Sequence, residues 1–214
     1  MKTVMGNKKN THTILYPIVR SVLNVIFYKG FKLHVEGQEN IPATGAIIAA
    51  PNHKSDWDPP LVGIAFSNRV IHYMAKEELF KNPVFAWILR LFGTFPVKRG
   101  AIDTSAIMRA VRELKQGNIL GIFPEGTRIR KDGLGRFHSG MASIAMMAGV
   151  DILPIAVLNS RELPHTTKPP AVLIGRPIHV KKQKPDKASI EAINQQVRAA
   201  IEQMAEEYRN RQKN

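Results

Sequence analysis

His53 and Asp58, five positions apart in Ala50-Pro51-Asn52-His53-Lys54-Ser55-Asp56-Trp57-Asp58-Pro59-Pro60, are the residues of this chain best suited to proton transfer. A carboxylate that accepts one ring N–H fixes the imidazole tautomer and leaves the other nitrogen basic, which suits removal of a proton from a hydroxyl. Asp56 competes for that role. Asp58 is favoured because it precedes a proline, which pushes it towards an extended conformation, and a bent loop can return it to His53. The same residue also reads as a plain helix N-cap with proline at the first helical position, and His53 as a hydrogen-bonded loop histidine.

A second group is Glu125-Gly126-Thr127-Arg128. Glycine lets backbone N–H groups approach an anion, threonine adds a donor, and arginine offers a planar fork for phosphate oxygens. Glu125 cannot itself bind a phosphate dianion; it is expected to hold the arginine or a backbone N–H. Lys98-Arg99 either completes an anion pocket or is a charged surface. Alone, Glu125 to Arg128 also reads as a solvated turn with a local ion pair worth at most ~1 kcal/mol.

The elements that must position these groups alternate between strand and helix. Strands are expected at 31–35, 46–50, 71–75, 119–123, 152–158 and 171–178, with a loop or short strand at 93–100. Helices are expected at 59–66, 84–92, from Asp103 to Gly117, at 139–148 and at 189–209. The last carries Ile190, Ile193, Val197, Ile201, Met204 and Tyr208 at helical spacing and is structural. The alternation predicts an α/β fold with a largely parallel sheet flanked by helices. The bulky stripe Phe85, Trp87, Ile88, Leu89, Leu91 and Phe92 is expected in the core first, lining an acyl pocket or touching lipid second.

Two units are expected: a basic, amphipathic segment over 1–30 and a catalytic domain over 31–214. Residues 1–35 hold six Lys or Arg and no acidic residue. Ile14 to Tyr28 reads as a helix with a broad apolar face (Ile14, Leu15, Ile18, Val19, Val22, Leu23, Val25, Ile26) and a polar stripe at Arg20 and Asn24. That run is shorter than the ~20 apolar residues a bilayer span needs, and no small-residue cleavage site follows it. It reads either as a helix lying in the membrane plane or as one packed on the core.

With 214 residues, 44% hydrophobic and 22% charged, the chain is long and apolar enough for a globular core. No cysteine is present, which excludes disulfides, thiolate metal sites and a cysteinyl acyl-enzyme. Thirty-one Lys and Arg against 17 acidic residues give +14, a surface that prefers anionic partners. Only 7% of residues are aromatic and no nucleic-acid-binding motif occurs, so nucleic acid is not the expected partner.

Taken in order, Asn52-His53 to Asp58-Pro59, Phe95-Pro96-Val97-Lys98-Arg99, Phe123-Pro124-Glu125-Gly126-Thr127-Arg128 and Leu153-Pro154-Ile155-Ala156 resemble the four blocks of the glycerolipid acyltransferases. The resemblance is strongest to the bacterial 1-acyl-sn-glycerol-3-phosphate acyltransferases and covers roughly residues 31–180. Phe137 and Gly140 fit a stretch the family often writes with lysine where His138 stands. The resemblance implies that His53 and Asp58 are catalytic and that Lys98, Arg99 and Glu125 to Arg128 bind the glycerol phosphate. It links Pro154 to acyl-donor binding or site shape. It further implies transfer from acyl-CoA or an acyl carrier protein to the sn-2 hydroxyl of lysophosphatidic acid, without other cofactor or metal. The protein would work peripherally on the anionic cytoplasmic face of the membrane. With no cysteine and no G-x-S-x-G turn, direct transfer in a ternary complex is expected rather than an acyl-enzyme.

Overall fold

A computed structural model describes residues 10–66, 69–97 and 104–213. Among them, seven strands form one sheet in the order β1-β7-β6-β2-β5-β3-β4. The strands are β1 (His34–Glu36), β2 (Ile47–Pro51), β3 (Ile71–Lys76), β4 (Phe95–Val97), β5 (Ile119–Gly121), β6 (Ile152–Leu158) and β7 (Ala171–Ile174). Every pair is parallel except β6 with β7, in agreement with the alternation read from the sequence. The helices are α1 (Asn10–Asn24), α2 (Asp58–Ala65), α3 (Pro83–Leu91), α4 (Thr104–Lys115), α5 (Gly140–Ala148) and α6 (Lys187–Arg211).

β2 is buried at all five positions, as a central parallel strand covered on both faces must be. Its alternating side chains feed two cores. Ile48 and Ala50 join Leu120, Met141, Ile152, Val197 and Ile201, under α4, α5 and α6. Ile47 and Ala49 join Phe27, Leu61, Val62, Leu153 and Ile155, under α2 and the N-terminal helix. Right-handed crossovers place α3 on the α2 side, since β2, β3 and β4 step in one direction across the sheet.

Helix ends follow their local chemistry. Pro59 and Pro60 occupy the first turn of α2, where a missing N–H costs no helical bond. Asn82 caps α3 by accepting from the N–H groups of Val84 and Phe85. Asp186 caps α6 through Ser189. Gly149 ends α5 at φ 68°, the left-handed position that glycine takes without strain.

α1 continues as a π-helical turn over Val25–Gly30 and meets the protein through Leu23, packed on the core, and Arg20, whose Nη2 donates to the Phe66 carbonyl at 2.8 Å. Phe27 alone in the turn is buried, whereas Ile18, Val22, Val25, Ile26 and Tyr28 are exposed. On α3, Ala86 is buried while Val84, Phe85, Trp87 and Ile88 are exposed. Of the stripe expected in the core, Phe85, Trp87 and Ile88 are therefore not core: α3 packs chiefly on the turn over Glu77–Phe80 and buries the small Ala86, while Leu89 and Phe92 are half-buried. Asp103 lies outside the described residues.

Candidate active site

β2 runs between β5 and β6, and its chain reverses direction of travel there: β2 leads towards β3 on one side, β5 leads to β6 on the other. In open α/β sheets the crevice beyond the carboxyl ends of such strands is where ligands bind. His53 emerges two residues past β2, Glu125 four past β5, and Ser160 two past β6.

The loop after β2 is fastened first. Asn52 is buried, and its side chain brackets one residue of β6: Oδ1 accepts from Val157 N at 2.7 Å and Nδ2 donates to Val157 O at 3.0 Å. His53 N donates to Glu125 Oε2 at 2.6 Å, and His53 O accepts from Ile129 N at 2.8 Å. The imidazole stacks on Phe123 with ring centroids 4.1 Å apart, and Phe123 stacks in turn on Tyr73. Tyr73 lies across Gly121, where any Cβ would sit 2.3 Å from its ring, so β5 must carry glycine there. Burial, then the charge of Asp58, pushes the Tyr73 phenol far above its ordinary range; its hydroxyl donates to Pro59 O at 3.3 Å.

Asp58, with no exposed surface, collects donors. Oδ2 accepts from His53 Nδ1 at 2.9 Å, Lys54 N at 2.6 Å and Ser55 N at 2.7 Å. Oδ1 accepts from the Ser160 hydroxyl. The carboxylate therefore binds backward into its own loop instead of capping the N–H groups ahead of it in α2, where it is the first residue and Trp57 stands at the cap position. Because an ionised carboxylate only accepts, the bond to His53 places the proton on Nδ1 and leaves Nε2 with its lone pair. Asp56, the competing partner, is instead paired with Arg128 Nη1.

Glu125 is buried, and both its oxygens are taken by backbone: Oε2 by His53 N and Oε1 by Gly135 N at 2.7 Å. It is a brace between the two loops, holding N–H groups rather than Arg128. Gly126 (φ 64°), Thr127 and Arg128 are exposed. The ring of His138 lies 3.1 Å from where a Cβ on Gly126 would sit, so this turn also needs its glycine. Lys54 Nζ donates to Lys131 O at 2.7 Å and to Gly133 O, tying the basic loop to the site. Burial holds its ammonium below the usual lysine range.

Lys98 and Arg99 lie outside the described residues; they follow β4, which ends at Val97 on the same edge of the sheet. Pro154 is buried inside β6, paired in register with Ala50, its ring against Gly175. It is not brought to the imidazole. A cavity of about 1200 Å³ touches the network at Asn52, Lys54 and Ser160 without reaching His53. Ser160, Phe123 and Tyr73 had no assigned role from sequence. Phe123 stood inside a recognised block, whereas Ser160 offered no signal of spacing or composition.

Residues 32–158 match a family described as Acyltransferase. The chain is 33% identical over 168 residues to the 1-acyl-sn-glycerol-3-phosphate acyltransferase of Bacillus subtilis, covering 77% of this chain and 83% of that one. It is 32% identical over 158 residues to the protein of the same name from Streptococcus pneumoniae, of whose length it spans 56%. The crystal structure of the 1-acyl-sn-glycerophosphate acyltransferase from Thermotoga maritima superposes with a TM-score of 0.73 at 25% identity, over 94% of this chain and 84% of that one.

Proposed function

The chain belongs to the acyltransferase family, and from that premise we propose that it moves a fatty acyl group from a thioester to the sn-2 hydroxyl of 1-acylglycerol 3-phosphate, forming phosphatidic acid. One observation carries the chemistry: His53 Nδ1 bound to the fully buried Asp58 at 2.9 Å, which aims a basic Nε2 away from the carboxylate. Nε2 removes the proton as the hydroxyl oxygen attacks the thioester carbonyl. The C–O bond forms, the C–S bond breaks, and the imidazolium returns its proton to the departing thiolate. Asp58 stabilises the transient imidazolium. General-base assistance of this kind is worth about 10²–10⁴ in rate, so positioning of the acceptor supplies much of the rest.

Positioning falls to the exposed Gly126-Thr127-Arg128 turn, with Lys98 and Arg99, which follow β4 in the sequence, as the further cations of this reading. Arg128 is held beside the His53 loop by Asp56, an exposed pairing that an acceptor phosphate can replace with a bidentate one. Glu125 serves by bracing. Pro154 acts on the shape of the sheet beneath.

The N-terminal helix is the membrane contact in this reading. Its outward face, Ile18, Val22, Val25, Ile26 and Tyr28, is apolar, and α3, on the same side of the sheet, turns Val84, Phe85, Trp87 and Ile88 outward. No described helix is long and apolar enough to cross a membrane. A protein that lies on the anionic cytoplasmic face, apolar side chains inserted and cations at the headgroups, accounts for both features. Residues 1–30 then serve as docking segment and 31–214 as the catalytic domain.

A panel of radiolabelled acyl transfers tests the reading. Lysophosphatidic acid should be the preferred acceptor, and a monoacylglycerol lacking phosphate a poor one. Acyl-CoA and acyl carrier protein thioesters are both offered, since both present the same thioester carbonyl to attack. Equal use of monoacylglycerol would refute the phosphate-binding turn; transfer only to another lysolipid would refute the acceptor.

A further inference from the structure

The geometry points to Ser160 as a positioning residue for the base: its hydroxyl fixes the plane of Asp58 and, through it, the tautomer and direction of His53. This rests on the acyl-transfer reading of His53.

Three of the four donors to Asp58 converge on Oδ2. A carboxylate pinned at one oxygen can still swing its plane about that point, and the plane sets where its lone pairs meet Nδ1. Among the described residues, Ser160 makes the only bond to the other oxygen, Oδ1, in a site where neither residue meets water: Asp58 is 0% and Ser160 1% exposed. The hydroxyl must donate, because the carboxylate can only accept.

The chain goes to some length to deliver that hydroxyl across 102 residues of sequence. Asn52 grips both backbone groups of Val157 and so locks the end of β6 to the His53 loop. Asn159 then turns the chain in the left-handed region, at φ 58°, and its amide is held by Pro169 O at 2.9 Å. A non-glycine residue in that conformation is uncommon, and asparagine is among the few that tolerate it. The turn sends Ser160 back beneath the loop after β2 rather than out to solvent.

The test is Ser160→Ala, read two ways in the full chain. Turnover should fall about ten- to a hundredfold, the scale of a lost hydrogen bond to a charged group. Both KM values should hold, because Ser160 is buried and its hydroxyl is taken by Asp58. Nitrogen-15 NMR of the histidines, with the His53 signals identified by their loss in His53→Ala, should show a single Nδ1–H tautomer in the wild type. Ser160→Ala should show a mixture, and Ser160→Thr should restore both turnover and tautomer. If Ser160→Ala does not fold, Ser160→Cys carries the same two readings, having a similar size and a weak donor. Wild-type turnover in the variant, or lost turnover with an unchanged tautomer, overturns the assignment. The NMR reading needs no substrate, so it judges Ser160 even if the acceptor proves to be another lysolipid.

Discussion

At the scale of single residues, the site is a buried carboxylate with four donors and an imidazole with one free nitrogen. Replacing Asp58 by Asn keeps shape but turns one of its two acceptor oxygens into a donor and removes the charge. The amide oxygen in the Oδ2 place still accepts from His53 Nδ1, Lys54 N and Ser55 N, and the NH₂ meets the Ser160 hydroxyl, which can turn to accept, so what Asp58→Asn removes is the negative charge behind all four bonds. A hydrogen bond to a charged group is worth about 1.5–3 kcal/mol against about 0.5–1.5 kcal/mol for a neutral one, and in a chain of this size each kcal/mol lowers Tm by about 2–4 °C. Calorimetry should show a fall of several degrees together with loss of turnover; an unchanged Tm would mean that the carboxylate is not held as described. His53 and Asp58 were legible because their partnership is local, five residues apart on one loop. Ser160 was not, since a serine beyond a strand end has no periodicity, and only the folded sheet brings it to Asp58. Asp56 shows the same limit: spacing alone admitted it as the partner of His53, and the fold gives it to Arg128.

At the scale of elements, β2, β5 and β6 lie side by side, and the loops at their carboxyl ends are cross-linked by side chains. Glu125 is the tie from the β5 loop to both His53 and Gly135. Glu125→Gln leaves one N–H group opposite an amide NH₂. Turnover should drop with a Tm loss of a few degrees, while acceptor KM changes less than in Arg128→Lys, which keeps charge but loses the bidentate fork. The reverse order of KM effects, measured by steady-state kinetics, would return Glu125 to the phosphate pocket. Element identity was readable because apolar runs and caps are local signals. Which face of a helix meets the sheet was not. On α3 the bulky residues suggested the inner face, yet Ala86 is the buried one and Phe85, Trp87 and Ile88 are exposed. On the N-terminal helix, Arg20 reaches inward because the Phe66 carbonyl at the end of α2 needs a donor.

At the scale of the whole molecule, a parallel sheet buries two cores while one side of the protein presents apolar residues from two separate helices. Each Val, Leu or Ile fully inserted into lipid contributes roughly 1.5–3 kcal/mol, against about 1 kcal/mol for a lysine near an anionic surface. Removing residues 1–28 takes away buried Phe27 and so confounds docking with folding. Ile18→Asp with Val22→Asp, both at exposed positions, should leave Tm unchanged but release the protein from anionic vesicles in flotation assays. Adding Trp87→Asp should deepen the loss. Vesicle binding unaffected by all three would place the membrane contact elsewhere. The net charge of +14 pointed to an anionic partner from the outset, whereas the outward turn of both helices needed the fold.

The central claim is that His53 is the base for acyl transfer to lysophosphatidic acid. It is tested most directly by single-turnover transfer from an acyl thioester in wild type and His53→Ala, with Tm measured alongside. The account predicts phosphatidic acid from the wild type, and a loss of about 10²–10⁴ in rate for the variant with a melting curve close to the wild type's, since Asp58 retains its bonds to Lys54, Ser55 and Ser160. A folded His53→Ala protein that turns over within about tenfold of the wild type, a smaller loss than general-base assistance implies, would contradict it.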